Sequence, residues 1–256
     1  MSEVVLIVQA RIGSSRLHGK VLQDIDGQPM LARVVERARQ VPGVTRVLVA
    51  TSTEARDAAI VDMAPALGVE VVTGSELDVL DRYYQVARRF DAEVVVRVTA
   101  DCPMLDPAAS GRVVARILEG DVDYVTNCQP PTYPDGLDTE AVLFSALESA
   151  WRESTLRSER EHVTPFIWKR PERFRTARLL SDPDLSVHRW TVDDERDLAF
   201  VREVYRRLLP TDGPCFGMAE VLALLEREPG LRAINAETGR NEGYAASLAK
   251  EDGTSG

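Results

Sequence analysis

Residues 4–20 read VVLIVQARIGSSRLHGK, and the fold turns on how the first five give way to the rest. Val4 to Val8 form an unbroken apolar run, as expected of a strand covered on both faces in a parallel sheet. The run then breaks into Arg11, Gly13, Ser14, Ser15, Arg16, Gly19 and Lys20. Ligands of open α/β sheets bind beyond the carboxyl ends of the strands, so this loop lies where a site would be. Gly13 and Gly19 allow backbone conformations and close approaches that a side chain would block. Successive N–H groups in such a loop make an anion-binding concavity. Arg11 and Arg16 suit bidentate phosphate contact, and Lys20 acts as a point charge. Together they describe a polyphosphate cradle. It is not a Walker loop, which would need Ser or Thr at Val21, and the GxGxxG dinucleotide fingerprint is absent.

Working outward, short apolar runs alternate with helix-period segments. Met30, Leu31, Val34, Val35 and Ala38 lie on one face of a helix over 30–41. RVLVA (46–50), VEVV (69–72), EVVVRVTA (93–100) and VDYVT (122–126) read as strands. The segments 54–67, 76–90 and 107–120 read as helices, the first interrupted or bent near Pro65. This repetition predicts an α/β, Rossmann-like, doubly wound and mostly parallel sheet. From about residue 129 the pattern loosens into QPPTYPDGLDTEAV, a surface excursion. Helices near 145–169, 195–209 and 217–227 and strands near 173–180 and 187–192 are expected beyond it. The expected organisation is one domain over 1–235, its 1–128 half binding nucleotide and its 129–235 half forming a less regular C-terminal lobe. A polar tail, 236–256, is expected to end in disorder.

Lysine and arginine number 31 against 41 aspartates and glutamates, a net charge of −10. An acidic chain gains nothing from phosphate attraction along a nucleic acid, so no nucleic-acid partner is expected. No apolar stretch is long enough to span a membrane, and no secretory leader pattern opens the chain. Cys102, Cys128 and Cys215 are odd in number and lack metal-ligand spacing. Reduced thiols in a cytoplasmic protein are the expectation.

A bound nucleoside triphosphate calls for Mg²⁺, held by one or two carboxylates together with phosphate oxygens and water. Asp101 follows the strand EVVVRVTA directly, at the same sheet edge as the cationic loop. Asp106, just before Pro107, fits a helix N-cap instead. The DVD triplet, Asp121 to Asp123, precedes its strand and reads as a helix-to-strand turn on the opposite edge.

Several segments, in order, resemble the cytidylyltransferases that make CMP-activated sugars. They are QARIGSSRLHGKVLQDIDGQPMLARVVERA, VLVATSTEARD, TGSELDVLDRYYQVA, VVVRVTADCPMLDP, TYPDGLDTEAV, EREHVTPFI, RWTVDDERDL and NEGYAASL. The CMP-KDO and CMP-sialate synthetases belong to this family, and its SpsF-like branch is the most similar. One departure is His18, where the family usually has Pro in RLPGK. The resemblance implies a fold like that of the nucleotide-diphospho-sugar transferases (GT-A-like) and a Mg²⁺-dependent nucleotidyltransferase. It would use CTP, or another NTP, and a small-molecule acceptor, typically a sugar or sugar acid, and release pyrophosphate. A homodimer is also implied.

The resemblance also implies roles. Arg16, Lys20 and Asp101 would be catalytic. Ala10, Arg11, Gly13, Ser14, Ser15, Thr51, Ser52 and Arg82 would meet the nucleotide. Asp101 and, by likeness of RWTVDDERDL to the family's GVDTPEDL, Asp193 would hold the metal; Asp194 is the rival, and also a good N-cap. Arg82 lies four residues from Asp78, so an ordinary ion pair between them is an equal reading. The irregular half would supply Tyr133, Asp138, Glu140 and His162 to the acceptor, with Asp135 and Glu161 nearby; His162 reads equally as a packed core residue. Three other readings remain: a GT-A-type glycosyltransferase using a nucleotide sugar, a nucleotidyltransferase with another base preference or a phosphonate, alcohol or amino-acid-derived acceptor, and a non-catalytic nucleotide-binding protein.

Overall fold

The side chains of β1 (Val4–Gln9) alternate between two packed faces. Val4, Leu6 and Val8 join the cluster on one side of the sheet and Val5 and Ile7 that on the other, none more than 1% exposed. A strand without a polar side needs cover on both faces, and the helices supply it. The computed structural model describes residues 2–14, 16–212, 216–236 and 248. Ser15, Cys215 and nearly all of the tail lie outside the described residues.

After the loop come a small hairpin of β2 (Asp24–Ile25) and β3 (Gln28–Pro29), then α1 (Met30–Ala38), β4 (Arg46–Ser52), α2 (Ala58–Leu67) and β5 (Glu70–Gly74). Next are α3 (Val79–Arg89), β6 (Val94–Thr99), α4 (Pro107–Leu118), β7 (Tyr124–Thr126) and β8 (Glu140–Leu143). The chain continues through α5 (Phe144–Glu153), α6 (Arg157–His162), α7 (Pro165–Trp168), β9 (Thr176–Arg178), α8 (Glu195–Asp212) and α9 (Met218–Arg227). The main sheet runs β5-β4-β1-β6-β8-β7-β9. Only β8 is antiparallel to its neighbours, so this is the doubly wound, mostly parallel sheet that the sequence predicts. Leu31, Ile60 and Val113 from α1, α2 and α4 pack on one face, and Leu80, Leu147 and Ile167 from α3, α5 and α7 on the other. Each such side chain stabilises the fold by roughly 1.5–3 kcal/mol. A third cluster joins α8 and α9 to Trp190.

Several elements differ from the sequence expectation. The helix α2 runs through Pro65 to Leu67, at the loss of the hydrogen bond that an N–H at this position would give to Val61 O. The helical stretch expected near 145–169 is made of three helices, α5, α6 and α7. The Asp26–Gly27 turn joining β2 to β3 has φ of 53° and 80°, the double positive φ that an Asp-Gly hairpin supplies. No strand forms over 187–192; Asp135 and Arg189 make one isolated parallel bridge. There Asp135 N–H donates to His188 O at 2.9 Å, and Trp190 N–H to Asp135 O at 2.6 Å. The ladder stops because Gly136 turns away at φ 107°, with its backbone pressed on Trp190 and Thr191.

The reversed strand β8 sets the position of the irregular segment. Glu140, its first residue, pairs with Arg97 of β6 and Thr126 of β7, so 127–139 leaves and rejoins the sheet at one edge. Asn127 closes the neck of that excursion. Its Nδ2 donates to Leu137 O at 2.8 Å, and its Oδ1 accepts from Thr139 N at 2.7 Å. Among the described residues no helix is long and apolar enough to cross a membrane.

A methyl group at Gly136 would lie 2.6 Å from Thr191 N, in a backbone region that L side chains rarely adopt. Gly136→Ala is therefore expected to destabilise the protein by at least about 2 kcal/mol. Urea unfolding should show a lower midpoint with an unchanged slope, and a wild-type midpoint would refute the close-approach argument.

Candidate active site

The loop after β1 is folded around its own apolar residues. Ile12 O accepts from Ser14 N at 2.7 Å and Gly19 N at 3.1 Å, while Ile12 N donates to Asp57 Oδ1 at 2.7 Å. Ile12 and Leu17 are buried, which leaves Arg11 and Arg16 facing outward. Gly19 sits at φ 66°, and a Cβ on Gly13 would lie 3.0 Å from Arg56 Nε. His18 is exposed. Lys20, unlike the loop arginines, is turned inward, and all its donors are used.

An ammonium has three N–H groups and no acceptor. Lys20 Nζ donates to Asp101 Oδ2 at 2.8 Å, to Asp193 Oδ1 at 2.9 Å and to Val192 O at 2.8 Å. Burial would push Asp101 upward, but the Lys20 ammonium overrides it and holds the carboxyl at about 2. Burial likewise works against the Lys20 charge, yet Asp101 and Asp193 raise its pKa, so it stays protonated. Two carboxylates from distant parts of the chain thus meet at one cation. Their meeting is fixed by backbone as well, since Val192 N–H donates to Asp101 O at 2.8 Å.

Asp193 and Asp194 have different roles. Asp194 Oδ1 accepts from Arg196 N at 2.9 Å and Asp197 N at 3.0 Å, capping α8. Asp193 turns into the cleft, where its Oδ2 meets Arg16 at 3.0 Å and Arg189 at 2.8 Å. Arg189 also holds Asp135 and the fully buried Asp197, each at 3.0 Å. Asp106 caps α4 through Ala109 N at 2.8 Å, as expected, and also receives Met218 N of α9 at 2.6 Å. Asp121 and Asp123 are engaged by Arg116 and Arg175 and do not line the cleft.

The cleft has a volume of about 720 Å³ and is lined by Arg11, Gly13, Ser14, Arg16, Lys20 and Asp101. Asp138, Glu140, Glu161, His162 and Asp193 line it as well. Glu140 is saturated: Arg97 at 2.5 Å, Thr164 Oγ1 at 2.6 Å and the Tyr124 hydroxyl all donate to it. Arg97, on β6, is held well above its ordinary value because Glu140 outweighs burial. Burial, then the Arg97 charge, lowers the pKa of His162, so its ring is neutral at pH 7. His162 is half-buried in the cleft wall. The next residue, Val163, has φ 72° and ψ −55°, and Thr164 N–H donates to His162 O at 2.9 Å. That is a γ-turn of the strained kind, rare for a β-branched residue.

Other expected contacts are not in the cleft wall. Ala10, Thr51 and Ser52 are buried behind it, Ser52 donating to Asp57, which in turn anchors Ile12. Tyr133 is 1% exposed in the third core cluster, under the Arg112 guanidinium. Arg82 does not pair with Asp78, which caps α3 and meets Arg160 at 2.6 Å. Arg82 is buried with Nε and Nη1 lacking a hydrogen-bond partner, and burial lowers its pKa. The sequence reading missed Arg97, Arg157, Trp168 and Arg189, all in the cleft wall. Only Arg97 gave a signal, as a lone charge inside an apolar strand.

Among the described residues, no three His, Cys, Asp or Glu side chains cluster as a metal cage. Two converging carboxylates without a third protein ligand suit Mg²⁺, which keeps water and takes substrate phosphates to fill its shell.

The sequence profile of the cytidylyltransferase family matches residues 5–232. The spore coat polysaccharide biosynthesis protein SpsF of Bacillus subtilis is 29% identical over 237 residues, 90% of this chain and 96% of that protein. The solved structure of a cytidylyltransferase from Leptospira borgpetersenii superposes with a TM-score of 0.86 at 27% identity, covering 94% of this chain and all of that one. A structure of CMP:2-keto-3-deoxy-manno-octonic acid synthetase complexed with CTP shares the fold, with a TM-score of 0.62 at 21% identity over 80% of this chain and 99% of that one.

The Asp101 carboxyl lies below its ordinary value, so its pairing stabilises the fold fully above about pH 4 and is lost as pH falls through about 2. In Lys20→Met the burial penalty remains and the ammonium is gone. Carbon-13 NMR titration should then find the Asp101 midpoint above 3.8, its usual value. A midpoint left near 2 would show that another group holds the charge.

Proposed function

The chain belongs to the cytidylyltransferase family and is a nucleotidyltransferase; we propose that it uses CTP and Mg²⁺ to transfer CMP to a sugar, sugar-acid or related small-molecule acceptor. The observation that carries this reading is the Lys20 junction, where Asp101 and Asp193 converge beside Arg16 at the carboxyl edge of the sheet. CTP is suggested by the family and by the nucleotide in the CMP:2-keto-3-deoxy-manno-octonic acid synthetase complex. A carbohydrate acceptor is suggested by the SpsF likeness.

In the proposed reaction an acceptor oxygen attacks the α-phosphorus in line, the new O–P bond forms, and the α–β bridging bond breaks. Pyrophosphate leaves with the electron pair. Catalysis of this type is largely positioning and charge stabilisation. Arg11 and the N–H groups around Gly13 and Ser14 would hold the nucleotide phosphates. Arg16 and Lys20 would neutralise the departing pyrophosphate. Neutral His162 would accept a hydrogen bond from the acceptor hydroxyl, with Asp138 beside it. Glu140 would act at one remove, fixing Arg97 and Thr164 in the cleft wall. When bound between Asp101 and Asp193, Mg²⁺ would supply charge neutralisation and orientation of phosphate oxygens.

The glycosyltransferase alternative is disfavoured because the DVD acids are spent on arginines away from the cleft. Pyrophosphate release with the four NTPs against sugars and sugar acids tests the reading, and CTP should be preferred. Lys20→Ala and Asp101→Asn should each lower turnover by about 10²–10³ while circular dichroism shows a folded chain. Near-normal CTP-dependent release by both variants would overturn the assignment.

A further inference from the structure

Lys20 occupies the position between Asp101 and Asp193 that a divalent cation would need. Its Nζ lies 2.8 Å from one carboxylate and 2.9 Å from the other, so the two oxygens are no farther apart than these distances together. The third ammonium hydrogen is fixed by Val192 O at 2.8 Å, and the side chain is only 9% exposed. Both oxygens of Asp193 are engaged, Oδ1 by Lys20 and Oδ2 by Arg16 and Arg189.

We propose that Lys20 is a tethered counter-ion that keeps the Asp101–Asp193 pair closed to a free divalent cation, and that the metal is admitted only with a polyphosphate that draws Lys20 and Arg16 onto its own oxygens. The metal and polyphosphate rest on the function proposed above; the competition between cations rests on these contacts alone. Three cations, Lys20, Arg16 and Arg189, here face four carboxylates, Asp101, Asp135, Asp193 and Asp197, leaving one negative charge. Adding a divalent ion to this set makes it net positive and forces like charges together at contact distance. The metal must also displace an ammonium that satisfies both acids. A triphosphate removes both obstacles, since it offers the displaced Lys20 and Arg16 new anionic partners and cancels the excess charge. Metal and nucleotide are then thermodynamically coupled, each tightening the other.

Removing the lysine should therefore weaken catalysis yet strengthen binding of metal alone, opposite to the behaviour of a residue that merely supports the site. The test is titration with Mn²⁺ in the absence of nucleotide, with free metal read by electron paramagnetic resonance. Lys20→Gln should bind Mn²⁺ about tenfold more tightly than the wild type, within the usual range of coupling factors. Arg16→Gln should show a smaller gain in the same direction; its side chain is 39% exposed, so the variant should fold. Adding Asp101→Asn to Lys20→Gln should abolish the gain. Unchanged or weaker Mn²⁺ binding by Lys20→Gln and Arg16→Gln would overturn the proposal, as would a gain that survives Asp101→Asn. Should Lys20→Gln fail to fold, the direction of change in Arg16→Gln decides. Tighter Mn²⁺ binding in the variants together with no pyrophosphate release from CTP by the wild type would reject the CTP reading and leave this one standing.

Discussion

A single buried ammonium joins the two ends of this fold. Lys20 comes from the loop after the first strand, Asp101 from the end of β6, and Asp193 from the segment before α8. Each partner needs the others. A buried lysine without carboxylates would carry a large desolvation cost, and two acids this close without a cation would repel. The geometry around them serves that meeting: the 189–193 backbone rests on Gly136, bonds to Asp101 O, and is braced by Asp197. The half with regular β–α units and the irregular half are therefore held together at the point where chemistry would occur.

Much of this was legible in the sequence, for identifiable reasons. β1, β4 and β6 are apolar on both faces, and a run such as VVLIV has few other ways to be satisfied. The loop cations stood out against an acidic chain, and Asp106 before Pro107 is a local capping signal that needs no tertiary knowledge. Lys20 and Asp101 could be placed at one sheet edge from strand order alone. What stayed hidden depends on long-range pairing. Arg37 falls outside the apolar stripe of α1, yet it is 1% exposed and donates to Tyr205 Oη, Leu105 O and Phe216 O. Arg189 looked like an ordinary residue of a strand that did not form, and its three carboxylate partners lie in separate segments or on α8. Tyr133, Thr51 and Ser52 have chemically suitable side chains, but sequence cannot show that they point into the core.

The cleft is more polar than a typical small-molecule site, and its polarity is internally balanced. Arg97 is tied to Glu140, Arg189 to Asp135, Asp193 and Asp197, and Lys20 to Asp101 and Asp193. Charges held in this way are already desolvated and oriented, so a ligand meets a fixed field rather than side chains that must still be ordered. The strained turn at Val163 belongs to the same wall. It costs backbone energy of order 1–3 kcal/mol and sets the peptide that joins His162 to Thr164.

The reversed strand β8 has a further consequence. Because 127–139 departs and returns at the same edge, with Asn127 closing its neck, residues can be added or removed beyond that neck without shifting the register of any strand pair. Asp135 and Gly136 nevertheless tie this segment to the 188–191 backbone, through Asp135 N–H to His188 O, Trp190 N–H to Asp135 O and the close approach at Gly136, so a change in its length is felt next to Asp193 and not in the sheet. Topology thus frees this part of the cleft wall from the sheet while fastening it to the Asp193 side of the Lys20 junction.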